Sequence, residues 1–242
     1  MRLEGATVLV TGASGGIGGA VAGRLLRRGA TVLAAGRDPT ATAGAGGRPL
    51  VVDLAAPGGP SELAERAGDV DAVVHAAGIG WKGPLAEMPP EELDRLLALN
   101  LRAPLELTRA LLPPMLARRS GRIVLVASIA GLTGVAGESV YAASKAGLLV
   151  FGESLRLELA GSGVGVGTVS PGAVDTGFFA RRGVPYDRRS PRPLAAGRVA
   201  DAVIEVLEGR KQDVVLPRWL GIAPKVRAVA PGAYRRLARR FG

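Results

Sequence analysis

A short β-branched apolar run, Thr7-Val-Leu-Val10, passes directly into Thr11-Gly-Ala-Ser-Gly-Gly-Ile-Gly18, and that into the helix-forming Gly19-Ala-Val-Ala-Gly-Arg-Leu-Leu26. This succession constrains the fold more than any other part of the chain. A buried strand turning through glycine into a helix is the first half of a βαβ unit, whose next strand lies parallel to the first. Gly12 permits the tight turn. Gly16 and Gly18 let backbone approach a ligand and let the helix pack near the sheet. The first N–H groups of such a helix have no intrahelical partners, and they lie at the positive end of its dipole. The segment is therefore a candidate site for a dinucleotide pyrophosphate. Among 36 glycines a glycine-rich turn alone says little, and the strand-to-helix context is what gives it weight.

The same alternation continues. Strands are predicted near 6–11, 31–35, 49–52, 71–75, 122–127, 164–169 and 213–216, and helices near 16–28, 60–67, 90–117, 138–160 and 196–208. This is an α/β pattern, read as a single-domain Rossmann-type doubly wound parallel sheet with helices on both faces. Pro104 predicts a kink near Ala103, and Pro113-Pro114 a second disturbance near the end of that helix. Residues 1–216 are expected to form the dinucleotide-binding and catalytic domain, with 178–195 as a lid over the substrate and 217–242 as a basic amphipathic tail.

The second constraint is Tyr141-Ala-Ala-Ser-Lys145, with Ser128 upstream. The chain has three tyrosines and four lysines, so a chance Tyr-x-x-x-Lys is expected roughly 0.05 times. Positions i and i+4 share a helix face, which can bring a phenol and an ammonium into one pocket. The ammonium is expected to favour the phenolate and lower the tyrosine pKa, making Tyr141 a proton donor and acceptor for a carbonyl–alcohol pair. Composition removes other chemistries. There is no cysteine, so thiolate nucleophiles, disulfides and cysteine-ligated metal are out, and with one histidine, His75, no metal site is expected. His75 sits at a strand end and is expected to be structural or cofactor-adjacent.

Together these residues resemble the classical short-chain dehydrogenase/reductase family, over roughly residues 3–215. The resemblance implies a catalytic set of Asn100, Ser128, Tyr141 and Lys145, which match in order and spacing. It implies a cofactor site made of Gly12, Ser14, Gly16, Ile17 and Gly18 in the first turn and Asp53 with Leu54 beside the adenine. Ala77 and Gly78 would lie under the cofactor, and Pro171, Gly172, Val174 and Thr176 at the nicotinamide carboxamide, with Tyr141 and Lys145 also in contact. One departure is plain. The family pattern Asn-Asn-Ala-Gly is replaced by His75-Ala-Ala-Gly78, so the second asparagine's side-chain bonds are lost at Ala76. The family's cofactor discriminator falls at Arg37, just after the second strand. A guanidinium there suits a 2′-phosphate, so NADP is favoured over NAD, although the neighbouring Asp38 could orient Arg37 or reach the ribose.

The net charge of +10 resides entirely in residues 177–242. In 178–195, aromatics stand beside arginines, a pattern suited to an acidic or acyl-linked substrate, with a solvated loop as the blander and favoured reading. In the tail, Tyr234, Leu237, Ala238 and Phe241 recur at helical spacing opposite Arg235, Arg236, Arg239 and Arg240. Such a helix can lie on an anionic membrane surface or pack on the domain or a neighbouring subunit. Nucleic acid is a weak candidate, since no binding module accompanies the charge. No leader or membrane span is visible, so a cytoplasmic protein is expected, with the inner membrane surface as a further location through the tail. The resemblance implies a homodimer or homotetramer packed through the 90–117 and 138–160 helices. The leading functional expectation is an NADP-dependent oxidoreductase moving a hydride between nicotinamide and a ketone or 3-oxoacyl type carbonyl/alcohol substrate. The alternatives are a catalytically silent NADP-binding sensor or scaffold with a membrane-associating tail, and a sugar-nucleotide epimerase, against which the glycine spacing counts.

Overall fold

The structure is a computed structural model that describes residues 1–186 and 191–241, the side chains of 237–241 excepted. Strands β1 (Thr7–Thr11), β2 (Thr31–Gly36), β3 (Arg48–Val51), β4 (Ala72–His75), β5 (Gly121–Val126), β6 (Val164–Pro171) and β9 (Asp213–Leu216) form one sheet in the order β3-β2-β1-β4-β5-β6-β9. Every neighbouring pair in it is parallel. A second sheet pairs the two-residue strands β7 (Val174–Asp175) and β8 (Leu194–Ala195).

Both faces of the main sheet are covered, so its central strands read as continuous apolar runs. Along β1 the side chains alternate: Val8 and Val10 meet α1 (Gly16–Leu26) and α9 (Ala196–Leu207), whereas Leu9 meets the other side. There α3 (Gly59–Ala67), α5 (Ala103–Ala117) and α7 (Ser139–Glu158) close the second core around Leu63, Leu107, Ile123 and Leu148. The remaining helices are α2 (Pro39–Gly44), α4 (Pro90–Leu97), α6 (Ile129–Thr133), α8 (Phe178–Arg181), α10 (Ile222–Val229) and α11 (Pro231–Phe241).

The region read as one helix over 90–117 is α4, one widened π turn at Ala98–Arg102, then α5 with Pro104 in its first turn. The kink expected at Pro104 is this turn. The disturbance expected at Pro113-Pro114 does not occur, because α5 runs through both to Ala117. The carbonyls those prolines leave unbonded belong to Arg109, which is exposed, and Ala110, which is half-buried, so water can reach them.

Four short helices lie outside the predicted set: α2, capped by Asp38, α6, capped by Ser128, and α8 and α10. The tail does not extend into solvent over its described part. It forms a short 3₁₀ turn at Arg218–Gly221, then α10 and α11, and it returns to α6. Arg227 Nη1 donates to the Leu132 carbonyl at 2.8 Å, and the Tyr234 hydroxyl donates to the Thr133 carbonyl at 2.7 Å. Tyr234, on the predicted apolar face, thus packs on the domain. The expectations for Leu237, Ala238, Arg239, Arg240 and Phe241 lie outside the described side chains, and residues 187–190 of the expected lid lie outside the described residues. Among the described residues no helix is long and apolar enough to cross a membrane.

Candidate active site

Strand order reverses between β1 and β4, and helices leave their carboxyl ends on opposite faces. Such a switch point opens a crevice above the strand ends. Here it is a cleft of about 1210 Å³. The glycine turn forms its floor. Gly12 has φ +68, and a methyl group on it would lie 2.8 Å from the Ala77 Cα, so both conformation and space exclude a side chain. Gly16 has φ +55 and abuts Thr176, bringing the turn against the 171–176 segment. Gly18 is buried beneath the turn, where a Cβ would run into the Gly12 carbonyl.

Thr11, the last residue of β1, ties this floor to β4. Its hydroxyl oxygen accepts from Ala76 N at 3.1 Å and Ala77 N at 3.2 Å, and the hydroxyl donates to the Val74 carbonyl at 3.4 Å. The tie uses main-chain amides, so it does not depend on the side chain at position 76. His75 points away from the cleft. It is buried, its Nε2 lies 3.0 Å from the Thr108 hydroxyl on α5, and burial pushes its pKa down to about 3. It is a neutral core residue.

Ser128 and α7 bring the catalytic candidates together. Ser128 follows β5 and caps α6, accepting from Ala130 N at 3.2 Å, and its side chain faces the Tyr141 phenol closely enough to lower its pKa. A Cβ on Gly131 would lie 2.6 Å from the Lys145 carbonyl carbon, so glycine lets α6 lie directly on the turn of α7 that bears Tyr141 and Lys145. Lys145 is buried, donates from Nζ to the Val126 carbonyl at 3.1 Å, and lies 5.9 Å from the centre of the Tyr141 ring. Burial lowers its pKa to about 8.

The expected lowering of the tyrosine pKa is corrected by the structure. Burial of the phenol raises it to about 12, the Ser128 side chain offsets part of this, Glu138 adds to the rise and Arg182 opposes it. Lys145 contributes little because its ammonium is turned to the Val126 carbonyl. At neutral pH Tyr141 is therefore a phenol with a proton to give.

Asn100 lies behind this group in the π turn, fully buried. Its Nδ2 donates to the Ile79 carbonyl at 2.8 Å and to the Ser144 hydroxyl at 3.3 Å, and its Oδ1 accepts from Ile79 N at 2.9 Å. The widened turn presents this side chain to the loop after β4. A Cβ on Gly78 would lie 3.3 Å from Asn100 Oδ1 and 3.5 Å from Lys145 Nζ, so the loop, the asparagine and the lysine meet at one bare backbone position.

Toward the substrate side, α8 covers the phenol. The Phe178 ring lies 5.6 Å from that of Tyr141. Arg182 forms a buried ion pair with Glu138 and stacks 4.7 Å above the Phe179 ring. At the opposite end, Arg37 is exposed at the rim and makes no hydrogen bond or ion pair among the described residues. Asp38 is committed elsewhere, since its Oδ1 accepts from Ala41 N at 2.9 Å as the cap of α2.

A family model described as short chain dehydrogenase matches residues 6–185. The chain belongs to this family. Ketoacyl reductase HetN of Nostoc sp. is 37% identical over 232 residues, covering 88% of this chain and 79% of that protein. The 3-oxoacyl-[acyl-carrier-protein] reductase FabG of Escherichia coli is 35% identical over 214 residues, covering 84% and 87%. Among solved structures, a short chain dehydrogenase from Burkholderia cenocepacia in complex with NADP superposes with a TM-score of 0.86 at 29% identity, covering 98% of this chain and 99% of that one. One from Sphingobium yanoikuyae in complex with NADPH gives 0.83 at 27%, covering 94% and 95%. The fold is thus that of the family, and the chain is an NAD(P)-dependent oxidoreductase.

Of the residues singled out in the sequence, Gly12, Ser14, Gly16, Ile17, Arg37, Asp53, Leu54, Ala77, Gly78, Ser128, Tyr141, Lys145, Pro171, Gly172, Val174 and Thr176 all line the one cleft. Gly18 and Asn100 do not reach it and act through packing and hydrogen bonds beneath it. Sequence reasoning missed the tasks of Thr11, Gly131, Ser144 and the Glu138–Arg182 pair. Their signals, a hydroxyl at a strand end or a glycine in a short helix, acquire meaning only from what lies opposite them.

Proposed function

We propose that this chain is an NADPH-dependent carbonyl reductase of the ketone or 3-oxoacyl type. The observation that carries the reading is the convergence of Ser128, Tyr141 and Lys145 on the cleft that holds the glycine turn. The cleft fits the cofactor: bare backbone at Gly12 and Gly16, the N-terminus of α1 and an unengaged guanidinium at Arg37 suit a dinucleotide carrying a 2′-phosphate. The glycine turn would hold the pyrophosphate, Asp53 and Leu54 the adenine, and Pro171–Thr176 the carboxamide. NADPH, when bound, supplies the hydride that forms the new C–H bond of the alcohol.

The protein's task is position and proton supply. Tyr141 gives its phenolic proton to the carbonyl oxygen, and its pKa of about 12 keeps that proton in place until the oxygen becomes basic. Ser128 donates a hydrogen bond to the same oxygen. Lys145, cationic below about pH 8 and 5.9 Å from the ring centre, stabilises the phenolate left behind once its ammonium swings from the Val126 carbonyl toward it. Asn100 is a positioning residue that locks the 78–79 loop against α7. Exposed Val150 and Leu157 on α7 support a homodimer through that helix.

The test is fluorescence titration with NADPH and NADH on wild type and Arg37→Asp, followed by NADPH consumption with a panel of ketones and 3-oxoacyl thioesters. NADPH binding that weakens at least about tenfold in the variant supports the 2′-phosphate reading. A variant that keeps its NADPH preference overturns it, and turnover retained in Tyr141→Phe overturns the proton donor.

A further inference from the structure

The described part of the C-terminal segment lies beyond the residues matched by the family model, yet it walls the same cleft. Leu220 reaches down to Gly172, where a Cβ would lie 2.8 Å from its Cδ1, so the segment touches the strand end expected to hold the carboxamide. Ile222 and Val226 follow one helical turn apart along α10, with Ala223 beside them, all bordering the cleft. The segment is fixed to the catalytic side by Arg227 and Tyr234, which donate to the last carbonyls of α6, the short helix that Ser128 caps. The lid rings of Phe178, Phe179 and Tyr186 line the same cleft.

We propose that residues 218–236 form an acyl-chain subsite, an apolar wall that selects carbonyl substrates carrying an extended hydrocarbon chain. This rests on the carbonyl-reductase reading and names the substrate class of that site. Two observations favour a chain over a compact ketone. Trp219 and Ile222 are left 55% and 60% exposed at the cleft mouth, an apolar rim that a small ketone held against Tyr141 would not need. The row has the right length as well. From Ile222 to Val226 it rises about 6 Å along α10, the span of about five extended methylenes, and Leu220 carries it on to Gly172. Most of the segment's charges project elsewhere: Arg227 is engaged with α6, Arg218, Lys225 and Arg236 lie outside the cleft lining, and Arg235 alone of them borders the cleft.

The experiment compares kcat/KM for 3-oxoacyl N-acetylcysteamine thioesters of four and twelve carbons in wild type and Val226→Trp. Position 226 is half-exposed, so the larger ring has room without disturbing the core. Wild type is expected to favour the longer substrate at least about tenfold, since each buried methylene is worth about fourfold, and Val226→Trp to abolish most of that preference. A flat chain-length profile, or a preference unchanged in the variant, overturns the subsite while leaving carbonyl reduction standing. Binding is read separately by quenching of Trp219 fluorescence with dodecanoic acid, using Trp219→Phe to assign the signal. If neither thioester is reduced, the carbonyl-reductase reading is what fails for these substrates. Saturable quenching that weakens in Val226→Trp still supports the subsite, and absence of quenching overturns it.

Discussion

Replacing His75 with asparagine should make the protein more resistant to acid by an amount the structure defines. His75 closes β4 between β1 and β5, is 3% exposed, and faces Thr108. Burial holds its pKa near 3, against 6.5 for the free side chain. The unfolded chain therefore takes up a proton as pH falls below 6.5, and the native state refuses it until about 3. A group whose folded pKa is depressed contributes stability that is complete above the unfolded value and lost as pH drops toward the folded one. The loss is about 1.4 kcal/mol per pH unit in that window, so moving from about pH 7.5 to about pH 5 costs about 2 kcal/mol through His75 alone. Asparagine does not titrate, and its amide can still bond the Thr108 hydroxyl. Urea unfolding of both proteins at both pH values isolates the effect, because carboxylates elsewhere contribute equally to the two chains. Wild type should lose about 2 kcal/mol more than His75→Asn. Equal losses would refute the reasoning, since they would require the imidazole to be protonated in the native state or to lie exposed.

Three further outcomes follow from the site. Burial of the Lys145 ammonium, with its pKa at about 8 instead of 10.5, is a standing cost below pH 8 that is relieved as pH rises toward 10.5. Lys145→Met should therefore raise stability at neutral pH by about 3 kcal/mol while abolishing turnover, as read by urea unfolding and NADPH consumption. The reductive kcat/KM should fall as pH rises through about 8 with the loss of that cation, and a Lys145→Arg variant that retains activity should lose this limb of the profile. Gly131→Ala forces a methyl group into the α7 backbone near Lys145, so α6 and its cap Ser128 must move. A fall of at least about tenfold in kcat with a smaller change in cofactor affinity is expected, and unaltered kinetics would show that α6 can shift without consequence.

The order of strands and helices, the glycine turn and the tyrosine–lysine pair were legible in the chain because each is a local pattern. A strand repeats every two residues, a helix every three to four, and a motif of five residues carries its own spacing. Arg37 was legible for the same reason, as it follows directly from the end of β2. The tertiary structure decided what depends on opposition between distant segments. Whether Asp38 reached a ribose or a helix N-terminus turned on the start of α2. The pKa of Tyr141 turned on how deeply it is buried, a quantity with no linear signature, and burial reversed the direction expected from its lysine neighbour. Folding brought the Thr11 hydroxyl to the Ala76 and Ala77 amides, a tie between residues separated in the chain by β2, β3, β4 and three helices. The basic C-terminal segment was the most ambiguous stretch of all. An amphipathic helix specifies that one face must be covered and is silent on what covers it. Only the packing of α10 on α6, with the Tyr234 hydroxyl on the Thr133 carbonyl, placed Ile222, Ala223, Val226 and Tyr234 along the cleft.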